Sequence, residues 1–148
     1  METVNAPSDG DTSARSLDTP GVQRIPTATP WAAAVGYSRA LRFGPHVLVS
    51  GTAPVNADGS TFARGDAHGQ TRRCIEIIGE ALRGLGADLP HVVRTRIYVT
   101  DISRWEEIGR AHGEAFADHP PVTTMVEVQA LIGPDMLVEI EAEAWVPR

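Results

Sequence analysis

Three glutamates alternate with small apolar residues near the end of the chain, in the segment LVEIEAEAW. Because the side chains of a β-strand point alternately to its two faces, Glu139, Glu141 and Glu143 are predicted to share one face. Such a row could act as a general acid or base, lie in solvent, or match the charges of a neighbouring strand. The segment VVRTRIYVT offers that match, since Arg94 and Arg96 share one face of another predicted strand. These arginines could bind an anionic substrate or neutralise the glutamates, and common cross-strand pairing favours neutralisation.

Other residue types that carry catalysis give weaker patterns. Ser50 lies in VSGTAP, which is not the GxSxG turn of a hydrolase nucleophile. Cys74 lies on the apolar face of a predicted helix, where a buried structural thiol is expected. The five histidines have neither HxxxH nor HxH spacing and form no cluster with Cys74, so no metal site is predicted. The glycines of RGLGAD follow a helix, so they are predicted to end it rather than to bind phosphate.

Length, charge and composition indicate one globular domain and limit its partners. The chain has 148 residues, of which 42% are hydrophobic and 22% charged. Its formal net charge of −6 argues against a nonspecific nucleic-acid partner, because such proteins need Lys and Arg to displace counterions from phosphate. No apolar run reaches the roughly 18 residues of a membrane span, and the first residues lack the basic leader and apolar core of a secretory signal. With one cysteine, which fits a reducing compartment, we expect a cytoplasmic protein with no membrane partner.

The predicted element order is strand, strand, helix, strand, helix, strand, strand, preceded by a tail. Residues 1–28 are rich in Asp, Ser, Thr, Pro and Gly and are predicted to be flexible, because they cannot bury enough apolar surface to offset the entropy of ordering. Residues 29–148 are predicted to form the single domain. The first two strands of that domain meet at a tight turn, Gly44-Pro45.

Two helices are predicted from apolar residues at helical spacing. In DAHGQTRRCIEIIGEALRGLG, Asp66 is predicted to cap the helix and Gly86 to end it. In SRWEEIGRAHGEAF, Ser103 and Glu106 are predicted to form a capping box. Because two amphipathic helices can cover only one face of the sheet, the predicted class is α+β. The second helix is predicted to turn inward the following residues: Trp105, Ile108, His112 and Phe116.

Alternation assigns the strand residues to two faces of the sheet. The helix-facing side is predicted to include Val93, Ile97, Val99, Val122, Val126 and Val128. The opposite face is polar but also contains Met and Tyr, which is typical of a subunit interface rather than of a bare solvent face. Its predicted members are Arg94, Arg96, Tyr98, Thr123, Met125, Glu127, Gln129, Glu139, Glu141 and Glu143.

Three segments, taken together, resemble the Rid family, also called the YjgF family. They are GYSRALRFGPHVLVSGTAPVNADG, VVRTRIYVTDISRWEEIGRAHGEAF and PPVTTMVEVQALIGPDMLVEIEAEAWV, and the match covers residues 35–146. The resemblance implies a chorismate-mutase-like α+β fold, with a mixed β-sheet that carries two helices on one face. It also implies a homotrimer with its sheets facing the threefold axis and a small cleft between each pair of subunits.

The resemblance further implies a chemistry. Members of the best-known branch hydrolyse reactive enamines and imines, such as 2-aminoacrylate, to 2-keto acids and ammonia, without metal or cofactor. An arginine holds the substrate carboxylate by two hydrogen bonds, while a glutamate and a hydroxyl position the attacking water.

Some family positions carry over to this chain and others do not. The aromatic residue of the first strand matches Tyr37, the strand-two motif matches Ser50 and Gly51, and the water-associated glutamate matches Glu139. The arginine position holds Thr123, which is neutral and too short to bind a carboxylate in the same way.

Two further positions depart from the family pattern. The usual cysteine is Met125, and the asparagine of the second helix is Gly109. Arg39 and Arg96 are the candidates to replace the missing arginine in the cleft, although ordinary surface or interface roles are the simpler interpretation of both.

These observations lead to three hypotheses. The first is a Rid-like trimer that binds a small imine, enamine or carbonyl metabolite in clefts between its subunits. Glu139 would activate water there, while Ser50 or the Gly51 amide would hold the substrate oxygen. The second is a noncatalytic trimer that senses a ligand or binds a partner. The third is an endoribonuclease, which the acidic composition and the lack of a basic stripe with stacking aromatics oppose.

Overall fold

A six-stranded mixed sheet forms the centre of the computed structural model, which describes residues 19–147. The strands of the sheet are β1 (Val22–Ile25), β2 (Ala40–Phe43), β3 (His46–Thr52), β4 (Val92–Val99), β5 (Val122–Glu127) and β6 (Val138–Trp145). They lie in the order β1-β2-β3-β6-β4-β5, in which only the β4–β5 pair is parallel. β1 and β5 are therefore the edges of the sheet.

Two long helices pack on one face of this sheet, as predicted for an α+β chain. The helices are α1 (Ala32–Val35), α2 (Ala67–Gly84) and α3 (Trp105–Phe116), of which α1 is a single turn. Asp66 caps α2 by accepting a hydrogen bond from the Gly69 amide at 2.9 Å. Gly86 follows the helix with a positive φ of 76°, which suits glycine. The predicted start and end of α2 are confirmed.

The hydrophobic core lies between these helices and the sheet face that they cover. Its fully buried side chains come from α2, α3 and the central strands, where full burial of one such residue contributes about 1.5–3 kcal/mol. The largest of them are Ile78, Leu82, Ile97, Ile108 and Ile140. The opposite face of the sheet, called the open face below, is covered by neither α2 nor α3 and is the side on which the glutamate row lies.

A strand lies inside the segment predicted to be a flexible tail. β1 pairs with β2, with Val22 opposite Phe43 and Ile25 opposite Ala40. The Ile25 side chain also packs against the core. The folded part of the chain therefore begins before residue 29, because a four-residue edge strand takes its order from its neighbour and shows little periodicity of its own. The rest of the predicted tail, residues 1–18, lies outside the described residues.

The predicted faces of β5 are wrong. The parallel register places Thr123 opposite Thr95 and Met125 opposite Ile97, so these side chains share the helix-facing side. The valines of the strand face outward instead, with Val122 60% exposed. Alternation separates the two sets of side chains but does not say which set faces inward, and apolarity is a poor guide on an edge strand whose residues are mostly exposed on both faces.

One residue of β4 also departs from its predicted face. Val93 is 49% exposed rather than packed on the helices. The pairing of β4 with β6 shifts register between Val92 and Arg94, which inserts an extra residue into the strand. After this bulge the predicted alternation holds, and Ile97 and Val99 are buried.

The start of α3 differs from the predicted capping box. Asp101 accepts a hydrogen bond from the Ser103 amide at 3.0 Å and caps a 3₁₀ turn, Ile102–Arg104, that precedes the helix. No side chain caps α3 itself, so the Ser103–Glu106 capping box is wrong. Trp105 stands at the first position of the helix and is 55% exposed, also against prediction. Asp is as good a cap as Ser and lies two residues earlier, which the spacing alone did not resolve.

Candidate functional site

The charges on the open face are largely matched within the chain. Arg96 lies 3.4 Å from Glu141 and 3.1 Å from Glu143, both on the neighbouring strand β6. The Tyr98 hydroxyl donates to Glu141 at 2.7 Å. The hydrogen bond to Glu143 is the main reason that the pKa of Arg96 lies above its usual value. The prediction that arginines of β4 neutralise the glutamates is confirmed, and it leaves Arg96 engaged in ion pairs.

Glu139 differs from the other two glutamates of the row. Among residues 19–147, no hydrogen bond or ion pair reaches its carboxylate, although the side chain is half-buried. Burial raises the pKa of Glu139, with a smaller raising effect from Glu141 and an opposing effect from Arg39. A half-buried carboxylate of this kind is a stronger base than an exposed one, and it is free to bind water or a ligand.

The carboxylate of Glu139 packs directly on the backbone of β3. A β-carbon at position 51 would lie 3.1 Å from Glu139 Oε2, so only glycine leaves the carboxylate its full space. The strand is irregular at this point, because the β3–β6 register shifts between Val49 and Thr52. Gly51 and Glu139, two of the predicted site residues, are therefore neighbours.

Arg39 lies beneath the same irregular segment. Its side chain is buried, with 9% of the residue exposed, and Nη2 donates to the Gly51 carbonyl oxygen at 2.7 Å. The Nε atom is buried and has no hydrogen-bond partner in the described chain. Burial lowers the pKa of Arg39, while the nearby Tyr37 and Glu139 act in the opposite direction. Arg39 thus supports Gly51 and places a positive charge close to Glu139.

Two more predicted residues line an open groove on this face. The Ser50 hydroxyl donates to the Ser38 carbonyl oxygen at 2.6 Å, and the Tyr37 hydroxyl lies 2.7 Å from Thr29 Oγ1. The groove has a volume of about 1210 Å³ and runs between β1, α1, β3 and β6. Its polar lining includes Arg24, Tyr37, Ser38, Ser50, Arg96 and Glu141.

Thr123 and Met125 lie away from these residues within one chain. Thr123 Oγ1 is 2.8 Å from Thr95 Oγ1, which in turn is 2.9 Å from Nε2 of His112 on α3. This places Thr123 on the helix-facing side, opposite to the side of Glu139. Thr95 and His112 were not among the predicted site residues, and the only signal for them was their inward position on a strand and a helix.

The described residues contain no group of three or more His, Cys, Asp or Glu side chains that could bind a metal ion. In the same part of the chain, no helix is long and apolar enough to cross a membrane. The side chains near Gly51 supply a half-buried carboxylate, a buried guanidinium and hydroxyl groups. Such a set can bind water and transfer its proton.

Comparisons with a family model, with related sequences and with solved structures all indicate the same family. Residues 27–146 match the family model described as Endoribonuclease L-PSP. An uncharacterized protein of Streptomyces coelicolor is 34% identical over 84% of this chain and 92% of its own length. The 3-aminoacrylate deaminase RutC of Acinetobacter baylyi is 32% identical over 82% of this chain and 95% of its own. A crystal structure from Mycobacterium tuberculosis, of a member of the YjgF/YER057c/UK114 family, superposes with a TM-score of 0.76 at 50% identity, over 84% of this chain and 99% of that one.

Proposed function

The chain belongs to the Rid (YjgF) family, and from that premise we propose that it hydrolyses a small imine or enamine to a carbonyl compound and ammonia. The observation that carries the proposal is the position of Glu139, whose half-buried and unpartnered carboxylate rests on Gly51. A relative of similar length is a 3-aminoacrylate deaminase, which supports the reaction class. The proposed reaction needs neither a metal nor a cofactor.

In the proposed reaction, water adds to the C=N carbon of the protonated imine and Glu139 accepts a proton from that water, which gives a neutral carbinolamine. Glu139 then returns this proton to the nitrogen. The C–N bond breaks as the carbinolamine hydroxyl gives its proton to Glu139, which leaves the carbonyl product and ammonia, and the ammonia takes that proton from Glu139 as it leaves. An enamine first becomes an imine by moving a proton from nitrogen to carbon. Burial raises the pKa of Glu139, which makes the carboxylate a stronger base for the uptake of this proton than an exposed glutamate.

Ser50 is assigned a different contact from the one expected from its sequence motif. Its hydrogen is held by the Ser38 carbonyl, so in this rotamer the Ser50 oxygen can only accept a hydrogen bond. It would therefore accept one from the attacking water or from the imine N–H, and the Gly51 amide would donate to the substrate oxygen. Tyr37, on the wall of the groove, would contact the remainder of the substrate.

A homotrimer with clefts between subunits is part of the proposal. Within one chain Thr123 and Glu139 lie on opposite faces of the sheet, so only a second copy could bring both to one cleft. The open face also exposes apolar side chains, with Phe43 40%, Leu48 39% and Trp145 47% exposed. An exposed patch of this composition is typical of an interface between subunits.

The class of substrate depends on whether the cleft offers an arginine that could bind a carboxylate. Thr123 brings no positive charge to the position where family members hold a carboxylate. Arg96 is held in ion pairs with two glutamates, and Arg39 is buried under Gly51. We therefore assign these arginines supporting roles, and the substrate needs no carboxylate next to Thr123.

A second candidate is a trimer that binds such a metabolite without turning it over. The engaged Ser50 hydroxyl and the neutral Thr123 favour it. An endoribonuclease, which the description of the family model names, is less consistent with a net charge of −6. RNA cleavage that follows the protein peak through repeated purification would support the endoribonuclease function.

Ammonia release tests the proposal. Freshly generated 2-aminoacrylate, 3-aminoacrylate and a carboxylate-free imine are compared with and without the protein. We expect a rate above the buffer control for at least one of them, and a loss of about 10²- to 10⁴-fold in Glu139→Gln. Glu80→Gln, at an exposed position of α2, is the matched control and is expected to keep full activity. Rates equal to buffer for all three compounds would contradict hydrolysis and leave the binding trimer.

A further inference from the structure

A line of hydrogen bonds leads from the inside of the domain to the edge of the sheet. His112 Nε2 lies 2.9 Å from Thr95 Oγ1, and Thr95 Oγ1 lies 2.8 Å from Thr123 Oγ1. Thr95 is fully buried, His112 is partly buried and Thr123 is exposed on the edge strand β5. The parallel register of β4 and β5 holds the two threonines side by side, so the line is fixed by backbone pairing.

The hydrogens in this line can be arranged in two ways. In the inward arrangement Thr123 donates to Thr95 and Thr95 donates to His112 Nε2, which leaves the Thr123 oxygen as an acceptor. In the outward arrangement His112 Nε2–H donates to Thr95 and Thr95 donates to Thr123. The Thr123 hydrogen then points away from the line, where its partner within the chain is the Pro121 carbonyl oxygen at 3.5 Å.

The contact of Thr123 with Pro121 is at the outer distance limit of a hydrogen bond. A ligand acceptor at normal distance would therefore form a stronger hydrogen bond with the Thr123 hydroxyl and replace this contact. Between the two arrangements both hydroxyl hydrogens turn around, and the imidazole loses the proton of Nδ1 to solvent and gains one at Nε2, without any change in net charge. The inward arrangement needs a neutral imidazole, since a protonated one could only donate, so both arrangements are open to the line only while His112 is neutral. Burial lowers the pKa of His112, which favours the neutral form.

We propose that Thr123 binds a neutral carbonyl or imine group of the ligand, and that Thr95 and His112 are positioning residues that set whether the Thr123 hydroxyl donates or accepts. This inference rests on the proposed function, because it concerns the same ligand, and it identifies Thr123 as a specificity-determining residue. A neutral hydroxyl that can reverse its polarity suits a C=O or C=N group, whose oxygen or nitrogen accepts, and an N–H of the same group, which donates. It does not suit a carboxylate, which offers acceptors only and is best bound by a cation.

The experiment follows the ring nitrogens of His112 by NMR in the full chain, during titration with benzamide as a neutral probe and benzoate as an anionic one. We expect benzamide to cause a saturable shift of the His112 nitrogens and benzoate to bind at least about tenfold more weakly, the ratio that one hydrogen bond of ordinary strength gives. Thr123→Ser should keep this response. Thr123→Val, which keeps the shape but removes the hydroxyl, should abolish it.

Thr124→Val is the matched control, because Thr124 is the next residue of β5 and points to the other face. It should behave like the unaltered chain. The assignment is overturned by the lack of any saturable shift, by a response to benzamide that survives Thr123→Val, or by tighter binding of benzoate. If the His112 response is as expected but ammonia release from imines equals buffer, hydrolysis is contradicted and the neutral-ligand site stands.

Discussion

The carboxylate of Glu139 rests on Gly51, where a β-carbon would come within 3.1 Å of Oε2. This contact joins strands β3 and β6 at the point where their register shifts. It explains why glycine is needed at that position although its backbone has no positive φ. The neighbouring guanidinium of Arg39 holds the Gly51 carbonyl from beneath, so one residue is fixed on two sides by charged groups.

Gly51→Ala is expected to displace Glu139 by a few tenths of an ångström and to lower the rate of imine hydrolysis by about 10- to 100-fold, because positioning of the base is lost. Gly113→Ala is the control, since a β-carbon there meets no atom within 4 Å. In the middle of α3 that change should raise the free energy of unfolding by about 0.5–1 kcal/mol. Enzyme assays and urea unfolding of both variants measure the effects, and equal activity in the two would contradict the role of the contact.

The raised pKa of Glu139 predicts a pH dependence of stability. The carboxyl binds a proton more tightly in the folded state than at its ordinary pKa of 4.5, so the folded chain takes up the proton first. The free energy of unfolding should therefore decrease as the pH rises from 4.5 through the folded-state pKa, and Glu139→Gln should lack this contribution. Urea unfolding of both proteins between pH 4 and 8 tests the sign. A difference between them that does not change with pH would refute it.

Arg39, which lies below strand β3, is expected to lower the pKa of Glu139. Its positive charge lowers that pKa, so Arg39→Gln should raise it further above the ordinary value. A ¹³C NMR titration of the Glu139 carboxyl carbon measures the shift directly. Arg72→Gln, at an exposed position on α2, should leave the titration of Glu139 unchanged. An identical Glu139 titration in the Arg39 variant would show that the two groups do not interact.

Much of the fold could be predicted where local chemistry and periodicity agree. Asp66 begins α2 and Gly86 follows its end, because a side-chain oxygen and a positive φ are strong local signals. The faces of β5 could not be predicted, since Thr123 and Met125 turn inward only through their register with β4. The same holds for β1, a short strand that is ordered by its pairing with β2.

The candidate site, too, could be predicted from the sequence only in part. Glu139 could be singled out from its two neighbours by family resemblance, and the structure adds the reason that it is unpartnered: Arg96 and Tyr98 reach only the other two. The Thr95–His112 contact had no sequence signal, because it joins a strand and a helix through two residues that are 17 positions apart in the chain. Contacts of this kind depend on packing, which single-sequence periodicity does not determine.

The proposed trimer makes a direct prediction for the open face. Leu48 is 39% exposed there and lies opposite Leu41 and Glu143 in the sheet, so Leu48→Glu would put a second carboxylate beside an existing one on the interface. We expect the unaltered chain to sediment at three times its 15.8 kDa mass and the variant to sediment as a monomer. Ammonia release should fall with the trimer, because Thr123 and Glu139 would no longer share a cleft.

Arg72→Gln serves as the charge-matched control, since Arg72 is exposed on the helical side of the domain and this change, like Leu48→Glu, makes the chain more negative by one charge. It should remain trimeric, whereas a general effect of added acidity would dissociate both variants. Sedimentation equilibrium at two salt concentrations separates repulsion, which salt screens, from loss of apolar burial, which it does not. A monomeric unaltered chain would refute the trimer, and a trimer that survives Leu48→Glu would place the interface elsewhere and with it the cleft.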